Sequence, residues 1–140
     1  MKYIVIQLKR LIPLLLNKMT IEEFVLKAKE QDSRNIFEPY TGNVSFVPID
    51  IRKLYVIANP IDVEIRTRKY GNIYFFPLDH IRHQNREYSF MPEDAFIFAS
   101  TNGDPIFIKD SQFFISYESE YIPEKISDSF SRFLDIIKMF

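Results

Sequence analysis

The chain reads as an α+β domain built on a central antiparallel sheet of about five to six strands flanked by helices. Three features carry that reading. Aromatic residues make up 16% of the 140 residues, with 14 Phe and 8 Tyr but no Trp, and much of this content falls in short runs where flat rings pack on a pleated surface. Ile61, Val63 and Ile65 alternate with Asp62, Glu64 and Arg66, the period of a strand with one face in water. Asn102-Gly103 stands between two apolar runs, and this dipeptide accepts the positive φ angles of a tight hairpin turn, which joins antiparallel neighbours.

The elements follow in order. Thr20 and Glu23 form a capping box, in which each side chain satisfies the other residue's backbone N–H, so a helix is expected over 20–31, closing at Asp32-Ser33. Val47, Ile51, Leu54, Tyr55 and Ala58 then fall at helical spacing behind Pro48, which predicts a helix over 48–58, although Leu54-Tyr55-Val56-Ile57 would also serve as a buried strand. Asn59-Pro60 stops it, because a residue before proline is driven out of the α conformation. Strands are expected over 61–67 and 73–76 around a turn at 68–72, over 95–100 and 105–109 around Asn102-Gly103, and over 113–117 after Asp110-Ser111. A closing helix over 127–138 places Ile126, Phe130, Phe133, Leu134 and Ile137 on one stripe, with Ser127 as its N-cap and Asp128 at the positive end of its dipole. The expected core is Ile73, Phe75, Phe96, Phe98, Ile106, Ile108, Phe130, Phe133, Leu134 and Ile137.

Residues 1–18 hold apolar stretches at 3–6 and 11–16, but Gln7, Lys9 and Arg10 interrupt them and Pro13 lies inside the second. Neither a secretory leader nor a bilayer span is expected from runs this short. The segment reads either as a dispensable extension before a start at Met19 or as an additional strand or helix laid on the core, within one domain covering 1–140. The absence of Cys excludes a disulfide framework, a thiolate zinc site and a cysteine nucleophile, and is compatible with a cytoplasmic location.

No catalytic constellation emerges, so no enzyme and no cofactor are expected. His80 and His83, the two histidines, have the i, i+3 spacing of a helical metal pair with Asp79 or Glu87 in reach, but Arg82 and Arg86 oppose a dication, and exposed loop histidines are the expectation. Three glycines, at 42, 71 and 103, cannot build a nucleophile elbow or a phosphate-cradling loop. Glu93, Asp94 and Asp104 flank turns, where acidic residues serve the backbone. Charge is uneven: residues 52–86 hold seven Lys/Arg against three Asp/Glu, and residues 87–140 hold four against ten. The basic stretch, with Tyr70 and Tyr74 as stacking platforms, makes a single-stranded nucleic-acid binder the alternative reading, and the acidic half opposes it.

The C-terminal half runs in the order Phe75-Phe76-Pro77-Leu78-Asp79-His80-Ile81, Phe96-Ile97-Phe98-Ala99, Asn102-Gly103-Asp104-Pro105-Ile106-Phe107 and Ile126-Ser127-Asp128-Ser129-Phe130 with Phe133-Leu134. That order resembles the SUKH superfamily of yeast cell-wall glucan synthesis regulators and bacterial toxin-immunity proteins. Upstream, the Pro48-led stretch through Tyr55 is similar to the family's proline-led helix. The resemblance implies an antiparallel sheet flanked by helices, no catalysis, and a protein partner, in bacteria often a cognate toxin held inactive inside the producing cell. Charge adds a location for that partner. Asp104, Asp110, Glu118 and Glu120 lie in or beside the last two expected strands, where they can form an acidic edge for a basic surface, with Tyr117 or Tyr121 as the desolvated anchor. Charged edges also guard sheets against aggregation, which is the competing explanation.

Overall fold

The computed structural model describes residues 19–140; the expectations for residues 1–18 lie outside them. Helix α1 (Ile21–Gln31) opens with the Thr20 half of the expected capping box: the Thr20 hydroxyl accepts from Glu23 N–H at 3.1 Å, while the Glu23 carboxylate accepts from that hydroxyl at 3.2 Å rather than from the Thr20 backbone N–H. It is followed by strand β1 (Ile36–Glu38) and helix α2 (Ile49–Ala58), whose N-cap is Pro48. Strands β2 (Asn59–Thr67) and β3 (Gly71–Phe75) come next, then a 3-10 turn (Leu78–His80) running into helix α3 (Ile81–Glu87). Strands β4 (Phe96–Thr101), β5 (Asp104–Lys109), β6 (Gln112–Ser116) and β7 (Pro123–Ser127) precede the last helix, α4 (Phe130–Ile136).

All seven strands form one antiparallel sheet in the order β1-β2-β3-β4-β5-β6-β7, so each strand pairs with its neighbours in sequence. The α+β class and the antiparallel sheet stand as read from the sequence, and the strand count exceeds the expected five to six. Thr101 pairs with Asp104 across Asn102-Gly103, whose φ angles of 51° and 83° are the left-handed pair of a two-residue hairpin. Asp110-Ser111 repeats the geometry, at 51° and 60°, between Lys109 and Gln112.

Register sorts the side chains onto two faces. Val63 and Ile65 oppose Phe75 and Ile73, Phe75 opposes Ala99, Ala99 opposes Ile106, and Ile106 and Ile108 oppose Ile115 and Phe113. This face is sealed by helices: Phe24 of α1 meets Phe75 at 5.2 Å, and Phe133 of α4 meets Phe98 at 5.5 Å and Phe113 at 5.7 Å. On the other face Ile97, Phe107 and Phe114 stand in a row, and Tyr121 packs over Phe107 at 6.1 Å. Burial on both faces explains why β5 reads as a continuous apolar run.

Two local expectations are corrected. Phe96 is only half-buried, because it sits at the end of β4 beside Tyr55, where the sheet opens to a groove, while a bulge between Ile97 and Ala99 lets both Phe98 and Ala99 face the helices. The other nine expected core residues are buried. The N-cap of the last helix is Ser129, accepting from Arg132 N–H at 3.2 Å, since Ser127 is still paired in β7 opposite Phe113. Asp128 accordingly lies outside that helix, paired with Lys125 at 2.6 Å.

Two asparagines weld helices to strands. Asn35 is buried, donates to Ala28 O (2.8 Å) and Glu64 O (3.0 Å), and accepts from Glu64 N–H (3.0 Å), tying α1 to β2. Asn85 makes the same double bond to Ile97, which ties α3 to β4. Among the described residues no helix is long and apolar enough to cross a membrane.

Candidate interaction surface

The meander brings the β2–β3, β4–β5 and β6–β7 turns to one end of the sheet. The β6–β7 turn is its most exposed part. Glu118 and Ser119 have φ of 63° and 57°, and Glu120 N–H bonds to Tyr117 O at 3.2 Å, a type I′ turn made without the usual Asn-Gly. A glutamate in the left-handed region is disfavoured, so neighbouring bonds must hold it there. Ser116, buried at the end of β6, donates to Glu120 O (2.6 Å) and accepts from Ile122 N–H (2.7 Å), while Asp104 accepts from Glu118 N–H (3.3 Å). The turn is thereby preorganised, with Glu118 and Glu120 in water and Tyr121 and Ile122 exposed at 40% and 49%.

Beside it, Tyr70 and Tyr117 come together near Glu124. Partial burial pushes the Tyr70 phenol up to about 12, and the Tyr117 ring and the Glu124 carboxylate add to the effect. Burial and the same carboxylate raise Tyr117 as well. The Tyr70 hydroxyl is buried and has no hydrogen-bond partner among the described residues.

Five of the six residues singled out as partner contacts, Asp104, Tyr117, Glu118, Glu120 and Tyr121, therefore gather at one end. Asp110 does not. It lies in the β5–β6 turn at the opposite end, held by Lys109 at 3.1 Å, because two turns bounding one antiparallel strand are separated by the strand's full length. Nor do these residues form a sheet edge: β7 covers β6, and the exposed edge belongs to Glu124 and Lys125. Glu124 completes the acidic end and was absent from the expected set, since the charged Pro123–Ser127 stretch has no apolar alternation to mark a strand.

The basic segment 52–86 is divided. Arg66, Arg68 and Lys69 stand around the β2–β3 turn at the same end as the four carboxylates, so that end carries both signs and its acidic part is the β4–β5 and β6–β7 side; the two guanidinium groups lie 5.7 Å and 5.5 Å from the Phe140 ring, whereas Arg82 and Arg86 lie on α3 toward the other end. Arg52 is spent on the backbone, donating to Val47 O at 2.7 Å and 3.1 Å. His80 ends the 3-10 turn and His83 lies in α3, 3.7 Å from Glu87, so both belong to helical turns rather than to a loop. Among the described residues no group of three or more His, Cys, Asp or Glu could hold a metal ion. No protein-family model, curated protein or solved structure matches the chain.

Proposed function

We propose that this chain is a non-catalytic protein-binding module of the SUKH kind, an immunity or regulatory protein acting in the cytoplasm by holding a basic protein partner, such as a toxin domain, in a complex. The observation that carries the reading is the preorganised turn at 117–122, which displays two carboxylates and an exposed tyrosine and isoleucine on a frame of side-chain hydrogen bonds. Exposed aromatic and aliphatic groups ringed by charge are the anatomy of a protein contact, and a rigid loop loses little entropy on binding. The helix-flanked antiparallel sheet agrees with what the family resemblance implies. A nucleic-acid role draws less support, because the arginines of 52–86 point to two ends of the molecule instead of one continuous track.

The test uses the protein encoded by the gene adjacent to this one. If expressing that protein arrests growth, co-expression of this chain is expected to restore it, and the two purified proteins to form a stoichiometric complex in calorimetry. Growth arrest that this chain fails to relieve, with no heat of binding, would contradict the proposal.

A further inference from the structure

A second surface lies at the opposite end of the sheet. A groove of about 480 Å³ runs between α3 and the loop before α2, floored by Ile81, Ala95 and Phe96 and walled by Phe46, Arg82 and Arg86. It continues in both directions: a cleft of about 310 Å³ shares Phe46 and Arg82 with it, and one of about 300 Å³ shares Arg86 and Ala95. The three adjoin along α3 through these shared residues.

The walls are built to stay in place. Arg52 donates from Nε and Nη2 to Val47 O, and from Nη2 to Ser45 O at 3.4 Å, which fixes the loop that presents Phe46. Asn85 donates to Ile81 O (2.7 Å) and Ile97 O (2.9 Å) and accepts from Ile97 N–H (3.1 Å), which clamps α3 to the first turn of β4. A groove open before its ligand arrives spends little on ordering its own walls when it binds.

Its charge selects the occupant. Arg82 and Arg86 are exposed and make no ion pair among the described residues; Arg82 rests over the Phe46 ring at 4.6 Å. On the facing wall Asp94 lies 3.4 Å from Lys109, an ammonium it shares with Asp110 at 3.1 Å, and Glu93 has no ion-pair partner among the described residues. At the flanks His83 lies against Glu87, and Asp79 borders the smaller cleft without an ion-pair partner among the described residues. The charges are thus segregated rather than in excess, and the two unpaired arginines make the α3 side the place for an anionic guest. Residues four apart on a helix are about 5–6 Å apart at Cβ, and alternate residues of an extended peptide are about 6.6 Å apart, so two acids flanking one residue can reach both arginines. The intervening side chain then faces the Phe46 and Phe96 rings.

We propose that this groove receives an extended segment of a protein partner carrying an acid–apolar–acid triplet. The inference stands independently of the acidic end, which lies across the molecule. Its test is an NMR titration of the isotopically labelled chain with Ac-Ala-Glu-Phe-Glu-Ala-NH2, and with Ac-Ala-Lys-Phe-Lys-Ala-NH2 as the charge-reversed probe. Saturable shifts at Phe46, Asn85 and Phe96 are expected with the glutamate peptide alone, and Arg82→Glu with Arg86→Glu should weaken binding by about tenfold or more at unchanged thermal midpoint. Should that double variant fail to fold, Arg86→Gln, a single change at an exposed position, is expected to weaken binding in the same direction. Absence of saturable groove shifts, an equal response to the lysine peptide, or undiminished binding by a folded arginine variant would overturn the proposal.

Discussion

Phe133 shows how much of the fold rests on single side chains. It is completely buried, with ring centroids 5.5 Å from Phe98, 5.7 Å from Phe113 and 5.9 Å from Phe130. Truncation to Ala would leave a ring-sized cavity among rings that cannot collapse around it. A loss of about 3–5 kcal/mol is expected for Phe133→Ala in a urea melt, and a loss below about 1 kcal/mol would contradict the packing. Tyrosines set the alkaline limit. Burial raises the Tyr55 phenol well above its ordinary range, and burial with Tyr117 and Glu124 pushes Tyr70 up to about 12. The unfolded phenols ionise near about 10, so the folded state holds the extra protons above that pH. Stability should be full below pH 10 and fall as pH rises through it toward 12. Tyr70→Phe is expected to flatten that decline in melts across the alkaline range without lowering stability at neutral pH, because its hydroxyl is buried without a partner among the described residues.

Elements differ in how plainly their residues announce them. The Thr20 N-cap, the alternation from Ile61 and the Asn102-Gly103 turn each encode local geometry in local chemistry, and each stands in the structure within a residue or two. β1, β7 and α3 do not. Ile36–Glu38 is too short to show a period, Pro123–Ser127 buries only Ile126 and Ser127, and Ile81–Glu87 buries Ile81 alone. Such segments are held by long-range bonds that no local pattern displays. Asn85 is an example, bonding α3 to Ile97 of β4, and Asn35 does the same between α1 and β2 across 29 residues of sequence. Asn35→Ala would strip three hydrogen bonds and leave the Glu64 backbone groups short of partners, so a loss of about 1–3 kcal/mol is expected. Faster amide exchange at Glu64 would locate the effect, and unchanged exchange there would show that α1 is held by other contacts.

At the scale of the whole molecule, the topology decides which charges meet. The acidic bias of residues 87–140 was visible in the sequence, but its arrangement depends on which turns share an end of the meander. That arrangement gathers Asp104, Glu118, Glu120 and Glu124 and sends Asp110 away. Alternation could place a residue on a strand; it could not supply the seventh strand that turns the expected acidic edge into an acidic end. The central claim is that this end steers a basic partner. Its most direct test is stopped-flow association of the chain with the purified product of the adjacent gene over a range of ionic strength, for the parent protein and for Glu118→Lys with Glu120→Lys. Steering predicts that the double reversal slows association by on the order of tenfold at low salt and flattens its salt dependence, with the thermal midpoint unchanged. Identical rates and salt slopes in the two proteins would contradict it.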